Sequence, residues 1–341
     1  MSINGDATPL AVRYLGNGRH ALEETQPREL QADQALVRVE AAGICGSDLK
    51  VLHSPPALQA NPGIVLGHEF AGTVSEIGSA VQNVRAGDRV VAAPNLGCGV
   101  CVPCSRGRAM SCKELVSLGF TDDGGFVSEA QVPAAALHIL PATIDWSVAS
   151  LIEPLSCVLS ALGGVEIPAG TSAAVIGGGP MGLLAISVLR LNGAGPVALF
   201  EPSPARQKVG RLCGATHVAG AEPELWGELT GAGDGPSIVV EAVGPLLAAA
   251  MRLVGDRGTV VQLGYAPGSE VPVEPSLINE KWLRIVGNDG SEQSFPEAIR
   301  LAEFGGELLR PIVTREMPLG EFDHALELLR AGSEAKIVIL P

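Results

Sequence analysis

The sequence predicts an α/β protein in which a mostly-β portion accompanies a doubly wound parallel sheet. In the first half, short runs rich in valine, isoleucine and threonine, such as QALVRVEAAGI (34–44) and FAGTVSEIG (70–78), alternate with glycine, proline and asparagine turns. From about residue 168, short apolar runs alternate with segments of helical length, which is typical of a parallel sheet. A chain of 341 residues is long enough for two domains.

The alternation in the second half can be followed element by element. TSAAVIGGG (171–179) predicts a strand, PMGLLAISVLRLNG (180–193) a helix that ends in glycine, and PVALFE (196–201) the next strand. In the following segment Ser203 can cap a helix, Pro204 fits its first turn and Gly214 can end it. Further apolar strand candidates are SIVVEAVG, GTVVQLG and LRIVGND, and the tail predicts helices around Pro296–Phe304 and Glu321–Ala331 and a last strand, KIVIL.

Composition and charge limit the classes of function. Hydrophobic residues make up 46% of the chain and charged residues 18%, which indicates a folded globular protein. The net charge of −14, with no basic cluster to offset it, argues against binding to nucleic acid. The first residues lack the pattern of a secretion signal, and no apolar run approaches the length of a membrane span. We therefore expect a cytoplasmic protein without nucleic-acid or membrane partners.

Four of the seven cysteines lie in NLGCGVCVPCSRGRAMSC (95–112), as Cys98, Cys101, Cys104 and Cys112. Four thiolates satisfy tetrahedral zinc without an open position, which is the composition of a structural site. The two-residue gaps let neighbouring thiols reach one ion, while glycine and proline permit tight turns. Free thiols or a pair of disulfides are the alternatives, but the spacing favours zinc.

A second candidate metal site combines Cys45 in GICGSDLK with His68 and Glu69 in GHEF. One sulfur, one nitrogen and one oxygen ligand plus a replaceable water is the composition of a catalytic zinc site. Each residue alone is a weak signal, because cysteine and histidine are often simply buried. Glu153 in LIEPLSC stands in an apolar stretch, where an unpaired carboxylate is costly to bury. It is expected near the metal as a ligand or a stand-in for Glu69, with a helix-cap role as the alternative.

A dinucleotide site is predicted by VIGGGPMG, which gives Gly177, Gly179 and Gly182 the G-x-G-x-x-G spacing between a strand and a helix. The three glycines permit a tight turn, close approach of a pyrophosphate, and close packing of helix on strand, respectively. Pro180 and Met181 belong to the same candidate cofactor-binding turn.

Glu201, at the end of the next strand, can accept hydrogen bonds from a ribose 2′-hydroxyl and would repel a 2′-phosphate. The position of this acid therefore favours NAD over NADP. Arg206 and Lys208 could reach a phosphate, or they are solvated helix residues.

Together these segments resemble the zinc-dependent medium-chain dehydrogenase/reductase family, the alcohol, sorbitol and threonine dehydrogenase group, over essentially the whole chain. GICGSD, GHEF, AGDRV, the four-cysteine loop, EPLSC and VIGGGPMG appear in that family's order. The resemblance implies a GroES-like catalytic domain at residues 1–150, completed by 290–341, and a Rossmann NAD-binding domain at 151–289. It also implies that Cys45, His68 and Glu69 hold the catalytic zinc, with Glu153 as a nearby alternate or water-mediated ligand.

The resemblance further implies proton-relay residues. Ser47 matches the hydroxyl residue that relays the alcohol proton, with a turn or cap serine as the alternative. Asp48 orients the zinc shell or His68, or it caps a helix. Lys50 stands where some family members have a histidine, and His53, three residues further, is either a distal relay or an exposed loop residue.

The function implied is oxidation of a secondary alcohol, such as a polyol, sugar, cyclitol or amino-alcohol, to the ketone with NAD. Zinc would act as a Lewis acid on the alcohol, and the nicotinamide would accept the hydride. Two zinc ions per chain and a homodimer or homotetramer are expected. Pocket residues are expected around Ser47, His53–Leu58, Phe120 and the segments GYAPG and NDG, and the aromatic content of 4% favours a small hydroxylated substrate. A catalytically silent zinc- and nucleotide-binding regulator is the alternative, against which the intact ligand set argues.

Overall fold

The computed structural model describes residues 9–25, 29–222, 226–231, 233–287 and 292–341. Its strands are β1 (Leu10–Gly16), β2 (Arg19–Glu24), β3 (Gln34–Gly43), β4 (Glu69–Ile77), β5 (Arg89–Ala92), β6 (Asn95–Leu96), β7 (Val116–Ser117), β8 (Glu129–Pro133), β9 (Leu137–Ile139), β10 (Ala173–Ile176), β11 (Val197–Phe200), β12 (His217–Ala219), β13 (Ile238–Glu241), β14 (Thr259–Gln262), β15 (Arg284–Gly287), β16 (Val313–Pro318) and β17 (Lys336–Leu340). Its α-helices are α1 (Gly46–Val51), α2 (Val102–Ser105), α3 (Trp146–Ala149), α4 (Ile152–Leu162), α5 (Pro180–Leu191), α6 (Pro204–Leu212), α7 (Trp226–Thr230), α8 (Leu247–Leu253), α9 (Pro275–Glu280), α10 (Phe295–Leu309) and α11 (Phe322–Arg330). Within these ranges, no helix combines the length and apolarity needed to cross a bilayer.

The chain divides into two compact units. The first comprises the described residues up to Glu153 together with Arg315–Ala331 and Ile337–Pro341, and the second comprises Pro154–Thr314 with Gly332–Lys336. The sequence predicts a return to the first domain at residue 290, whereas the structure places that return at Arg315.

The later return has a packing cause, because α10 belongs to the second unit. A Cβ on Gly305 of α10 would lie only 2.4 Å from Leu191 Cδ1 of α5. The hydroxyl of Ser187 in α5 donates to the carbonyl of Leu308 at 3.1 Å. The amphipathic pattern of the tail indicates a helix with one buried face, but not the element that covers it.

The first unit is built on a largely antiparallel sheet with the order β16-β17-β3-β4-β5-β9, in which β8 also pairs with β3. The strands predicted at residues 34–44 and 70–78 are confirmed as β3 and β4. Their inward residues form one core with Phe70 and Phe126, both fully buried. At one end of the β3–β4 ladder, Gly43 lies opposite Glu69. This register brings the segment after β3 next to the segment before β4.

The second unit contains a parallel sheet with the order β12-β11-β10-β13-β14-β15. All residues of β10, β11 and β13 are buried, as their uninterrupted apolar runs predict. The doubly wound parallel sheet is therefore confirmed. The strand order reverses between β10 and β13, and at such a switch point ligands bind outside the carboxyl ends of the strands.

The helix signals in this unit are also confirmed. Ser203 caps α6, accepting a hydrogen bond from the backbone N–H of Arg206 at 3.5 Å, and Pro204 is the first helical residue. Gly214 follows the helix with φ of +104°, a conformation that L side chains rarely adopt. The last part of the segment LRIVGND, and all of NDG, lie outside the described residues.

Candidate metal centres and dinucleotide site

The first candidate metal centre lies in the first unit, at the end of the β3–β4 ladder. One ligand atom from each of Cys45, His68 and Glu69 lies within 4.8 Å of the other two. His68 and Glu69 are buried, with 5% and 1% of their surface exposed, and Cys45 is partly buried. A thiol, an imidazole and a carboxylate at this spacing fit a zinc ion that keeps a position open for another ligand.

Asp48 links two of these residues. It is fully buried in α1, and its Oδ2 accepts a hydrogen bond from the backbone N–H of Cys45 at 2.8 Å. Its Oδ1 lies 3.5 Å from Nδ1 of His68. One oxygen therefore caps the start of α1, and the other faces the imidazole of His68. The position of Asp48 is compatible with both roles considered from the sequence, a helix cap and a partner that orients His68.

The electrostatics of this site favour a cation. Burial lowers the pKa of His68, but the negative charges of Asp48 and Cys45 raise it by more, so that the pKa is well above its ordinary value. Asp48 Oδ1 and His68 Nδ1 are buried, and neither has a hydrogen-bond partner among the described residues. A divalent metal ion would supply the positive charge that these anionic neighbours stabilise.

Phe120, predicted to line the pocket, lies against this centre. Its ring centroid is 4.9 Å from that of His68, with the planes tilted by 44°. Its backbone is fixed on both sides: the N–H of Phe120 donates to Ser117 O at 3.0 Å, and its carbonyl accepts from the N–H of Asn61 at 2.7 Å. The aromatic ring therefore covers part of the imidazole from a well-anchored turn.

The candidate relay residues lie on or near α1. Ser47 is half-buried in its first turn. Burial lowers the pKa of Lys50, in its last turn, while the charge of Cys45 opposes that shift. His53 is exposed, and its Nδ1 lies 2.9 Å from the carbonyl of Pro55. Because a carbonyl can only accept, Nδ1 of His53 carries the proton in this contact.

Glu153 is buried in the first turn of α4, with 7% of its surface exposed. It is not one of the residues whose ligand atoms all lie within 4.8 Å of one another. The structure therefore groups Glu69, and not Glu153, with Cys45 and His68.

The second candidate metal centre is the four-cysteine loop. The ligand atoms of Cys98, Cys101, Cys104 and Cys112 all lie within 4.8 Å of one another, and the structure has all four as free thiols. The Sγ atoms of Cys101 and Cys112 are 3.8 Å apart. Gly97 permits this closeness, since a Cβ there would lie 2.6 Å from Cys104 Sγ. Four sulfur donors in this arrangement fit a closed structural zinc site.

The thiols of the loop differ in acidity. Hydrogen bonds from the backbone N–H groups of Val100 and Cys101, and from neighbouring thiols, lower the pKa of Cys98 to about 6. For Cys101, the backbone N–H of Cys104 lowers the pKa, but the adjacent thiols and partial burial raise it by more, to about 12. Of this pair, Cys98 is therefore the more acidic thiol.

The dinucleotide turn lies in the second unit, between β10 and α5. Gly177 has φ of +100°, and a Cβ on Gly182 would lie 1.9 Å from the carbonyl oxygen of Gly177, so no side chain fits there. At Gly179, by contrast, an added Cβ meets nothing within 4 Å. Gly179 is the N-cap of α5, and Pro180 and Met181 are the first residues of that helix. The open space faces the helix N-terminus, where a phosphate is stabilised.

Glu201, which directly follows β11, is hydrogen-bonded to this glycine turn. Its Oε2 accepts from the backbone N–H of Gly178 at 2.6 Å, and its Oε1 accepts from the N–H of Ser203 at 2.8 Å. Each oxygen retains a lone pair that can accept from a ribose hydroxyl. The side chain of Arg206 is partly buried, and its Nε has no hydrogen-bond partner within the described ranges.

Two further polar residues at this sheet edge, Glu241 and Gln262, are not among the site residues predicted from the sequence. Glu241 is fully buried at the end of β13 and bonds to Gln262 of β14. An acid that ends an apolar run, as in SIVVE, was the available signal.

Comparison with known proteins adds to this geometry. Residues 31–142 match the alcohol dehydrogenase GroES-like domain, and residues 180–303 match the zinc-binding dehydrogenase domain. D-altritol 5-dehydrogenase of Agrobacterium fabrum is 34% identical, over 91% of this chain and 93% of that protein. L-threonine 3-dehydrogenase of Bacillus velezensis is 32% identical, over 94% of this chain and 95% of that protein. Among solved structures, a protein from Sinorhizobium meliloti described as a zinc-binding dehydrogenase and bound to NADP has a TM-score of 0.90 and 32% identity, covering 98% of this chain and 100% of that one.

Proposed function

Because the chain belongs to the zinc-dependent medium-chain dehydrogenase/reductase family, we propose that it oxidises a secondary alcohol to the ketone with NAD, using one catalytic and one structural zinc ion. The coarser statement, that the chain is an oxidoreductase of the zinc-dependent alcohol and polyol dehydrogenase type, follows from its relatives. The observation that carries the finer proposal is that one ligand atom from each of Cys45, His68 and Glu69 lies within 4.8 Å of the other two.

In this proposal the two bound groups supply Lewis acidity and a hydride acceptor, and the protein residues supply binding, orientation and proton transfer. Cys45, His68 and Glu69 hold the metal, and Asp48 fixes both Cys45 and His68. Ser47 lies two residues after Cys45 and is half-buried. Its proposed role is to relay the proton that leaves the alcohol. The exposed ring of His53 is in a position to exchange protons with water, and Glu153 remains the proposed alternate carboxylate near the metal.

The proposed cofactor preference depends on Glu201. A buried carboxylate directly after β11 favours the free 2′-hydroxyl of NAD and repels the 2′-phosphate of NADP. One structural relative is bound to NADP, so the two cofactors must be compared directly. Equal affinity for both cofactors would contradict this part of the proposal.

The proposed substrate is a small hydroxylated molecule such as a polyol, sugar, cyclitol or amino-alcohol. Two relatives are named for a polyol and for threonine, which both carry a secondary hydroxyl beside other polar groups. We also propose a homodimer or homotetramer. Light scattering on the purified protein should then give a multiple of the 35.0 kDa chain mass.

Metal analysis and a substrate screen test the proposal together. Purified protein should contain two zinc ions per chain and should reduce NAD with at least one member of a panel of polyols, sugars, cyclitols and amino-alcohols. Cys45→Ala should retain one zinc ion and lose turnover. Cys213→Ala is the same substitution at a buried cysteine of the second unit. This variant should retain two zinc ions per chain and normal turnover. Turnover that survives Cys45→Ala would remove this metal from the reaction. Binding of zinc and NAD without turnover on any member of the panel would favour the regulatory alternative.

A further inference from the structure

A buried carboxylate stands at the switch point of the parallel sheet. Glu241 is the last residue of β13, lies opposite Ile176 of β10 in the register, and has no exposed surface. Burial of a carboxylate in this way is costly unless its oxygens are hydrogen-bonded. Oε1 accepts from the backbone N–H groups of Val243 and Gly244, each at 2.8 Å, and Oε2 accepts from the N–H of Gly244 at 2.9 Å and from Nε2 of Gln262.

These hydrogen bonds fix the turn at residues 242–244. Gly244 has φ of +125°, a conformation that glycine adopts readily and that L side chains rarely adopt. Gln262 provides support on the carbonyl side, because its Nε2 also lies 3.1 Å from Gly244 O and 3.0 Å from Gly264 O, so its two hydrogens are shared among these carbonyls and Glu241 Oε2. The carboxylate thus holds the N–H groups of the turn, and the amide holds a carbonyl of the same turn.

The turn forms one wall of the dinucleotide site. The backbone N–H of Ala242 donates to Ile176 O at 2.9 Å, next to the first glycine of the G-x-G-x-x-G turn. A Cβ on Gly177 would lie 2.7 Å from Cγ2 of Val243, so the two loops touch without spare room. Since the loops that follow β10 and β13 flank the switch point, the position of Val243 sets one boundary of the crevice beside Gly177.

We propose that Glu241, acting with Gln262, is a positioning residue for the dinucleotide, which holds the 242–244 turn against Gly177 before the cofactor arrives. The inference rests on the proposed use of a nicotinamide dinucleotide. A crevice that is already formed binds more tightly, because less ordering accompanies binding. Glu241 therefore acts through the turn and makes no contact with the reacting atoms.

Glu241→Gln is the direct test. The amide has the same shape, but it has one acceptor oxygen and places an NH2 group against N–H donors. NADH affinity of the purified protein, measured by fluorescence titration, should fall about tenfold, as expected for loss of a charge-assisted hydrogen bond. The kcat at saturating NAD should stay unchanged, so that the effect appears in the KM for NAD. Hydrogen exchange at the amides of Val243 and Gly244 should become faster in the cofactor-free protein.

Two further variants separate positioning from general stability. Gln262→Met keeps the size of the side chain, removes the amide donor and should weaken NADH binding in the same direction. Val260→Ala removes buried methyl groups from the middle of β14; it should lower the melting temperature and leave NADH affinity unchanged.

The outcomes are distinguishable. Weaker NADH binding in both Glu241→Gln and Gln262→Met, with normal binding in Val260→Ala, supports the inference. Normal NADH binding in Glu241→Gln, or an equal loss in Val260→Ala, overturns it and leaves the proposed function intact. If the unmodified protein binds neither NADH nor NADPH, the proposed function fails, and the inference fails with it.

Discussion

Replacement of Asp48 by asparagine should weaken one metal site without unfolding the protein. The side chain is fully buried, accepts from Cys45 N at 2.8 Å and lies 3.5 Å from His68 Nδ1. Asparagine keeps the shape but loses the charge, and contacts to a charged group are worth about 1 kcal/mol more than neutral ones. Two weakened contacts amount to about 2 kcal/mol, or about a thirtyfold loss in zinc affinity. This agrees with the effect of about 10–100-fold that is common when a residue supporting a metal ligand is changed.

The assay is competition for zinc with a chromophoric chelator. Of the two proposed zinc ions, Asp48→Asn should lose one to a chelator whose zinc affinity is about thirtyfold lower than the unmodified protein requires, while the ion proposed for the four-cysteine loop should be released as in the unmodified protein. Asp145→Asn is the matched control, because Asp145 caps α3 by accepting from Ser147 N at 3.0 Å, and asparagine caps equally well. Unchanged zinc affinity in Asp48→Asn, or the same loss in Asp145→Asn, would refute the assigned role of Asp48.

Three other outcomes are expected. Gly182→Ala should lower both the melting temperature and NADH affinity, because its Cβ would lie 1.9 Å from Gly177 O. Gly179→Ala should lower NADH affinity alone, because its Cβ would meet nothing within 4 Å. Thermal melts and calorimetric titration with NADH distinguish the two outcomes. Glu201→Gln should narrow the preference for NAD over NADP, and an unchanged ratio of dissociation constants would contradict the role of its charge. In zinc-free protein, alkylation of Cys98 should rise through a midpoint near pH 6, since its lowered pKa makes it a thiolate above that pH; a midpoint near 9 would be inconsistent with the hydrogen bonds described.

Local patterns were enough to predict much of the second unit. The strands and helices from β10 to α6, the cap at Ser203 and the glycine turn depend on neighbours in sequence, and the apolar runs are long and uninterrupted. The return of the chain to the first unit was misplaced, because it depends on the contact between Gly305 and Leu191, which are remote in sequence. Amphipathicity indicates that α10 is covered but carries no information about its partner.

The candidate sites also differ in whether they depend on sequence neighbours or on remote contacts. The spacing of the four cysteines predicts one cluster, because the ligands lie within one loop. The meeting of Cys45 with Glu69 depends on the register of Gly43 opposite Glu69, which the sequence pattern does not specify. Ligand chemistry alone made this group a weak candidate, and the resemblance to the family strengthened it. Glu241 was overlooked for a related reason: its importance comes from its pairing with Gln262 across two parallel strands.

The contrast between the two candidate metal centres has a consequence for the order in which the protein would acquire the two proposed zinc ions. All ligands of the four-cysteine loop lie between Cys98 and Cys112, so closing the loop costs little chain entropy. Cys45 meets His68 only after β3 and β4 have paired. During refolding with cobalt as a spectroscopic substitute, the thiolate absorption of the loop should therefore appear first. A chain halted between the two steps would be half-metallated, carrying the zinc ion proposed to stabilise the loop and lacking the one proposed to act in catalysis.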